Sequence, residues 1–367
     1  MHNKSLSVVV AMSGGVDSAV AAFMLKEQGF NVCGMFMKNW EEDDDPSTNY
    51  CSAAQDLKDA EQICNQLNIP LHKVNFSAEY WDKVFNNFLE ESKAGRTPNP
   101  DVLCNKEIKF KVFLNYAKKL NADLMATGHY ARVIKKNNKN YLLTAIDQNK
   151  DQSYFLNALN QEQLANCLFP IGELTKPEVR KIAQQTGFSN YGKKDSTGIC
   201  FIGERKFKTF LQNYLHNNPG LILDDSGTIV GKHDGLMYYT IGQRKGLNIG
   251  GKSKTKNQHL PWYVIDKDLI NNNLIVANGK NHNKLFATQL QAVNCNWIAD
   301  LPSPNIPLTA KIRYRQKSQI CYIQPIKEYN EILVTFKEAQ RAITPGQFIV
   351  FYQEDYCLGG ALITKAI

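Results

Sequence analysis

The chain has no cysteine pair at C-x-x-C spacing, no apolar run near the ~20 residues a membrane helix needs, and no G-x-G-x-x-G between a strand and a helix. The first absence argues against a four-ligand zinc site. Nine cysteines, an odd number, in a chain of 367 residues do not suggest a disulfide framework, so any special cysteine is expected to be a reactive thiol. The longest apolar stretches include Ser7 to Met12 and Phe348 to Phe351, and no cleavable signal pattern opens the sequence. The expectation is a cytoplasmic protein with no membrane segment. The third absence leaves a dinucleotide-binding fold unsupported. Internal repeats and low-complexity tracts are also missing. At 43% hydrophobic and 21% charged the composition is that of a globular protein. At about 150 residues per domain, the length points to two or three domains that need no covalent staple to fold.

Charge is unevenly divided. Residues 1–200 hold 23 Lys+Arg and 23 Asp+Glu, whereas residues 201–367 hold 20 and 12, so the whole net charge of +8 lies in the back half. A neutral front and a basic back fit a chemical front domain and a polyanion-holding back, although a generically basic surface fits the count equally well.

Along the first 150 residues short β-branched runs alternate with stretches of helical period, the pattern of a parallel sheet covered by helices. Strands are expected at 6–12, 31–37, 71–75 and 124–127, and helices at 18–28, 52–67 and 80–92. A further helix should start at Asn99 as cap with Pro100 in its first turn and run to about Leu120. A hairpin-like pair flanks Asn137–Asn140, and the acidic stretch Glu41 to Asp45 reads as a loop. Beyond an amphipathic helix near 205–215, short strands with Gly-, Pro- and Asn-rich turns dominate. The predicted architecture is α/β, with a Rossmann-like parallel sheet of the adenine nucleotide alpha hydrolase type. A small central mostly-β domain and a C-terminal β-barrel follow. The domains are placed at 1–210, 211–280 and 281–367.

Ser13-Gly14-Gly15-Val16-Asp17-Ser18 follows a buried strand and opens a helix, so its backbone N–H groups and the helix N-terminus form an anion cradle. Gly246 to Ser253 matches G-x-x-x-x-G-K-[ST] letter for letter, but no buried strand precedes it and no helical period follows, so it reads as a basic loop. His129 ends a strand at the carboxyl edge where open sheets bind ligands. Arg313-Tyr314-Arg315 alternates cations with an aromatic on an expected strand, which puts the two arginines on one face and Tyr314 on the other. Asp17, a hard oxygen donor beside phosphates, suits Mg²⁺ held without an all-protein cage.

The Ser13 to Ser18 loop resembles that of the ATP pyrophosphatases, which cleave ATP between its α and β phosphates. The segments Gly34 to Trp40, Arg96 to Lys106, Ala126 to Tyr130, Lys150 to Tyr154, Asp195 to Gly203, Gly242 to Gly246, Arg313 to Arg315 and Thr344 to Gln347 extend the resemblance to the tRNA 2-thiouridylase family over nearly the whole chain. The resemblance implies a tRNA-uridine 2-sulfurtransferase that uses ATP and Mg²⁺. It implies tRNA as substrate and a persulfide donor, either a cysteine desulfurase or a sulfur relay protein, as partner. Cys104 would be the nucleophile and resolving thiol, and Cys200 the persulfide carrier. Ala11, Met12, Ser13, Gly14, Gly15, Val16, Asp17, Ser18, Met37 and Gly128 would bind ATP. Asn99, Pro100, Asp101, His129, Lys150, Asp151, Gln152, Arg313, Tyr314, Arg315 and Gln347 would contact tRNA or the target base. Two other readings remain open on the residues alone: another adenylating enzyme with a different acceptor, and a non-catalytic RNA-binding protein with a relict nucleotide loop.

Overall fold

The computed structural model describes residues 6–40, 52–195, 207–249, 260–304, 306–327 and 330–367. Cys51, Cys200, Glu41 to Asp45, Ser196 to Gly203 and Gly250 to Ser253 lie outside the described residues.

The run Val8-Val9-Val10 is wholly buried because its strand is central and covered on both faces. This strand, β1 (Ser7–Met12), pairs in parallel with β2 (Asn31–Lys38) on one side and β4 (Leu124–Ala126) on the other. β3 (Leu71–Asn75) and β7 (Cys167–Leu168) extend the sheet to the order β3-β2-β1-β4-β7. Side chains alternate across it as the pleat requires: Val9, Met35 and Met125 join one apolar cluster, whereas Val8, Val10, Phe36 and Ala126 join the other. α1 (Val16–Glu27) buries Val16, Ala19, Val20 and Ala22 in the second cluster beside Val179 and Ala183. α2 is Ser52–Gln66.

Asn99 caps the next helix as expected, its side-chain oxygen accepting from the Val102 N–H at 3.4 Å, with Pro100 opening α3 (Pro100–Leu103). The helix then continues as a π-helical stretch over Cys104–Val112, which sequence periodicity does not announce, before returning to α-helix over Phe113–Lys119.

A second departure concerns the hairpin β5 (Ala131–Lys136) and β6 (Lys139–Thr144), turned through Asn137 and Asn138, both at positive φ. It leaves the parallel sheet and joins the C-terminal barrel, Leu142 and Leu143 pairing with Cys357 and Tyr356. The central unit is a four-stranded sheet of β8 (Gly220–Asp224), β9 (Ile229–His233), β10 (Trp262–Asp268) and β11 (Asn273–Asn278). The barrel comprises β12 (Phe286–Trp297), β13 (Leu308–Lys311), β14 (Gln319–Lys327), β15 (Glu331–Arg341), β16 (Phe348–Gln353) and β17 (Tyr356–Ala366). It runs β12-β15-β14-β13-β16-β17 and closes by β12 pairing β17. Arg313 to Arg315 lie in a turn after β13 rather than on a strand, because Gln316 N–H bonds back to the Arg313 carbonyl at 3.1 Å. The letter-for-letter G-x-x-x-x-G-K-[ST] segment has no helix through Ile249, and Leu247 in it is buried.

One apolar cluster runs through all three units, holding Phe110 and Tyr154 together with Val264 and with Val350, Tyr352 and Cys357. A shared core couples their unfolding. Scanning calorimetry should therefore give a single endotherm for the full chain; a barrel transition resolved from that of the parallel sheet would contradict this packing.

Candidate functional site

The strand order reverses at β1, with β2 and β3 to one side and β4 and β7 to the other. The crevice at the carboxyl ends of β1 and β4 is therefore the topological switch point, where open α/β sheets bind ligands. Ser13 to Ser18 leaves β1 here and Thr127 to Tyr130 leaves β4. Glycine is required at two positions. Gly14 has φ +70°, and a Cβ on it would lie 2.3 Å from the Asp56 carbonyl oxygen; a Cβ on Gly128 would lie 2.7 Å from the backbone of Asp17 and Ser18. The two loops are thus in backbone contact. Ser18 Oγ accepts from the Ser13 N–H at 3.2 Å and donates to the Gly15 carbonyl at 3.0 Å. This turns the loop into α1, whose first-turn N–H groups have no intrahelical acceptor. Ala11 and Met12 lead into the loop on β1, and Met37 lies buried on β2.

Charge converges on the same loop. Lys176, 7% exposed at the start of α4 (Lys176–Gln185), donates to Asp17 at 2.8 and 2.9 Å and to Asp195 at 2.5 Å. Tyr130 donates its hydroxyl to Asp17 at 2.9 Å, and Lys150 pairs with Asp195. Burial raises the Asp195 carboxyl, but the bonds from Lys150 and Lys176 outweigh it and hold the group below the usual carboxylate range. On the other side of the loop, Asn190 and Lys193 both donate to the Gly14 carbonyl. No group of three or more His, Cys, Asp or Glu among the described residues is arranged to hold a metal ion. Asp17 is the carboxylate of the loop itself.

The residues singled out from sequence fall into two groups. Lys150, Asp151 and Gln152 are tied within the chain. Asp151, 3% exposed, accepts from the Ala145 and Ser153 N–H groups and pairs with Lys311 of β13 at 3.4 Å. Gln152 pairs twice with the Tyr130 backbone, at 2.8 and 2.9 Å. The second group lies on the helix of Cys104 or is linked to it through Phe155, Thr97 and Pro98. The Cys104 thiol, 0% exposed, sits just beyond α3 in the apolar cluster, and its neighbour Asn105 donates to the Phe155 carbonyl at 3.1 Å. Tyr314 packs on Phe155 at 4.4 Å between ring centres, while Arg313 and Arg315 line a groove of about 450 Å³ together with Arg341. Gln347 donates to the carbonyls of Thr97 and Pro98 at 2.8 and 3.2 Å, and the Thr97 N–H bonds the Pro345 carbonyl at 2.9 Å, so the barrel clamps the segment that precedes Asn99, Pro100 and Asp101.

Sequence reading missed Lys176, Asn190 and Lys193. For Lys176 a signal existed: Thr175 and Glu178 form a capping box, and a lysine in the first turn opposes the helix dipole unless a carboxylate faces it. No comparable signal marks the other two.

His129 shares a 2.7 Å hydrogen bond through Nδ1 with Thr127 and packs between the rings of Phe110 and Phe169. Burial, then the nearby Lys109, hold its pKa well below 6.5. As pH falls through about 6.5 the unfolded chain takes up the proton first, so this contribution to stability is present above that value and is lost below it. Urea melts of wild type and His129→Phe at pH 8, 6.5 and 5.5 should show a shallower acid-side decline in the variant; equal slopes would contradict an imidazole held neutral against these rings.

Three family models match: "tRNA methyl transferase HUP domain" over residues 6–204, "tRNA methyl transferase PRC-barrel domain" over 208–278, and "Aminomethyltransferase beta-barrel domain" over 287–363. The chain is 56% identical over 362 residues to the tRNA-specific 2-thiouridylase MnmA of Legionella pneumophila (strain Lens), covering 98% of this chain and 99% of that protein. It is 56% identical to MnmA of Histophilus somni (strain 2336), covering 100% and 94%, and 55% identical to MnmA of Serratia proteamaculans (strain 568), covering 100% and 99%. Near-complete coverage at more than half identity places this chain in the tRNA-specific 2-thiouridylase family.

Proposed function

We propose that the protein is an ATP-dependent tRNA sulfurtransferase that converts the C2 carbonyl of the wobble uridine to a thiocarbonyl, in tRNAs for Lys, Glu and Gln. The observation that carries this reading is the switch-point crevice, where Gly128 packs on the backbone of a glycine loop opening α1. Loop N–H groups and the helix N-terminus suit a polyphosphate, with Ala11, Met12 and Met37 beside it for the rest of ATP. Asp17 would hold the Mg²⁺ that enters with the phosphates, and that ion would screen their charge.

In the proposed reaction the uridine O2 attacks the α-phosphorus and pyrophosphate leaves, which turns a poor leaving group into AMP. The terminal sulfur of a Cys200 persulfide then attacks C2. The Cys104 thiolate attacks the inner sulfur, the S–S bond of the persulfide breaks, and its electrons stay with the sulfur on C2 as the C2–O bond to AMP breaks. The products are 2-thiouridine, AMP and a Cys104–Cys200 disulfide, which an external thiol reductant must reopen. A cysteine desulfurase or a relay protein would reload Cys200. Because Cys104 is covered, the segment around it must open when the base enters. A base stacked in the anticodon loop must likewise turn outward. The groove holding Arg313 and Arg315 suits RNA phosphates. Asn99 to Asp101, His129 and the Tyr314 and Gln347 contacts are proposed to frame the flipped base. The division into a catalytic domain to 210, a tRNA-binding domain to 280 and a terminal barrel belongs to the same proposal, as does a cytoplasmic setting; no helix among the described residues is long and apolar enough to cross a membrane.

Single-turnover assays with unmodified tRNA, Mg-ATP and a persulfide donor test this. Cys200→Ser should lose at least 100-fold in 2-thiouridine while tRNA-dependent pyrophosphate release persists. A variant that thiolates normally, or wild type that makes no thiouridine with a competent donor, would contradict the two-cysteine mechanism.

A further inference from the structure

The Gly14–Gly15 peptide lies in the middle of the loop between β1 and α1, and its orientation is held from outside the loop. Asn190, 5% exposed, donates Nδ2 to the Gly14 carbonyl at 3.1 Å. Lys193 donates to the same oxygen at 3.2 Å, to Asp56 at 2.7 Å and to Asp59 at 2.5 Å. An ammonium has three N–H donors, and these three partners use all of them, so Lys193 acts on the loop and not on a ligand. With the carbonyl pinned by two donors, the Gly15 N–H of that trans peptide faces the opposite way. Its contact within the chain is a long one, 3.4 Å to Ser13 Oγ, which leaves it open to a stronger acceptor.

The Asn190 side chain carries a cost that packing alone does not explain: its Oδ1 is buried without a hydrogen-bond partner. A small apolar residue would fill the same space without that penalty. What an apolar residue lacks is the donor to Gly14.

We infer that Asn190, supported by Lys193, is a positioning residue for phosphate recognition, which orients the Gly14–Gly15 peptide so that its N–H faces the polyphosphate. The inference rests on the reading of this loop as the ATP phosphate site. Asn190→Asp keeps the shape, replaces the donor with an acceptor facing the carbonyl, and draws Lys193 toward itself. Only the part of the ligand that meets the peptide should suffer.

Titration calorimetry of wild type, Asn190→Asp and Asn190→Ala with ATP and with adenosine, alongside thermal melts, makes the test. ATP affinity should fall roughly tenfold or more in Asn190→Asp, adenosine affinity should stay within about twofold, and the alanine variant should fall between. Unchanged ATP affinity, or equal loss of ATP and adenosine, would overturn the inference. The alanine variant is read by the same contrast if the aspartate does not fold. Wild type that binds adenosine but gains nothing from the phosphates would instead remove the functional reading, and this inference with it.

Discussion

The ammonium of Lys176 between Asp17 and Asp195 is the constraint around which the site is organised. A buried cation at a helix N-terminus opposes both its own hydration and the helix dipole. It is tolerated because two carboxylates supply its partners, with Tyr130 adding a bond to Asp17 and Lys150 one to Asp195. Removing any one member leaves another charged and under-satisfied, which makes the group act as a unit. Those five residues come from the loop after β1, the loop after β4, the segment after β6, the start of α4 and the chain just before residue 196. One electrostatic knot thus ties the start of α1 to Asp195.

A second set of contacts works at longer range. The barrel reaches back through Gln347 to the carbonyls of Thr97 and Pro98, through Tyr314 to Phe155, and through Lys311 to Asp151. These contacts land on Thr97 and Pro98, just before the Cys104 helix, and on the 151–155 segment after β6, whose Phe155 carbonyl accepts from Asn105. A displacement of the barrel would therefore be felt at the Cys104 helix and at the 151–155 segment, because the docking contacts are to backbone and packed groups rather than to mobile surface side chains.

Much of this was legible in the sequence, for identifiable reasons. β1 reads directly because an unbroken valine run is what a strand covered on both faces requires, and Asn99-Pro100 reads as a helix start because cap and first-turn preferences are local. The Gly14 and Gly128 requirements were visible only as motif letters; the close backbone approaches behind them are tertiary. The π-helical winding after Cys104 has no periodic signature, and the transfer of the β5–β6 hairpin to the barrel depends on an edge supplied more than 200 residues later by β17. Lys150, Asp151 and Gln152, which the resemblance alone assigned to tRNA, are each bonded within the fold by side-chain contacts that a polar turn does not announce. Asn190 was illegible because its partner is a single backbone carbonyl about 176 residues earlier, and Lys193 because its partners are that same carbonyl and two carboxylates more than 130 residues earlier.

The central claim is that the crevice between β1 and β4 activates the uridine oxygen by joining it to the α-phosphate. Isotope tracing tests it most directly: tRNA carrying ¹⁸O at C2 of the wobble uridine, turned over once with unlabelled ATP and a persulfide donor, followed by mass analysis of AMP, pyrophosphate and water. The account predicts one ¹⁸O in the phosphate of AMP for each 2-thiouridine formed. Label found in pyrophosphate or released to water while 2-thiouridine accumulates would contradict it.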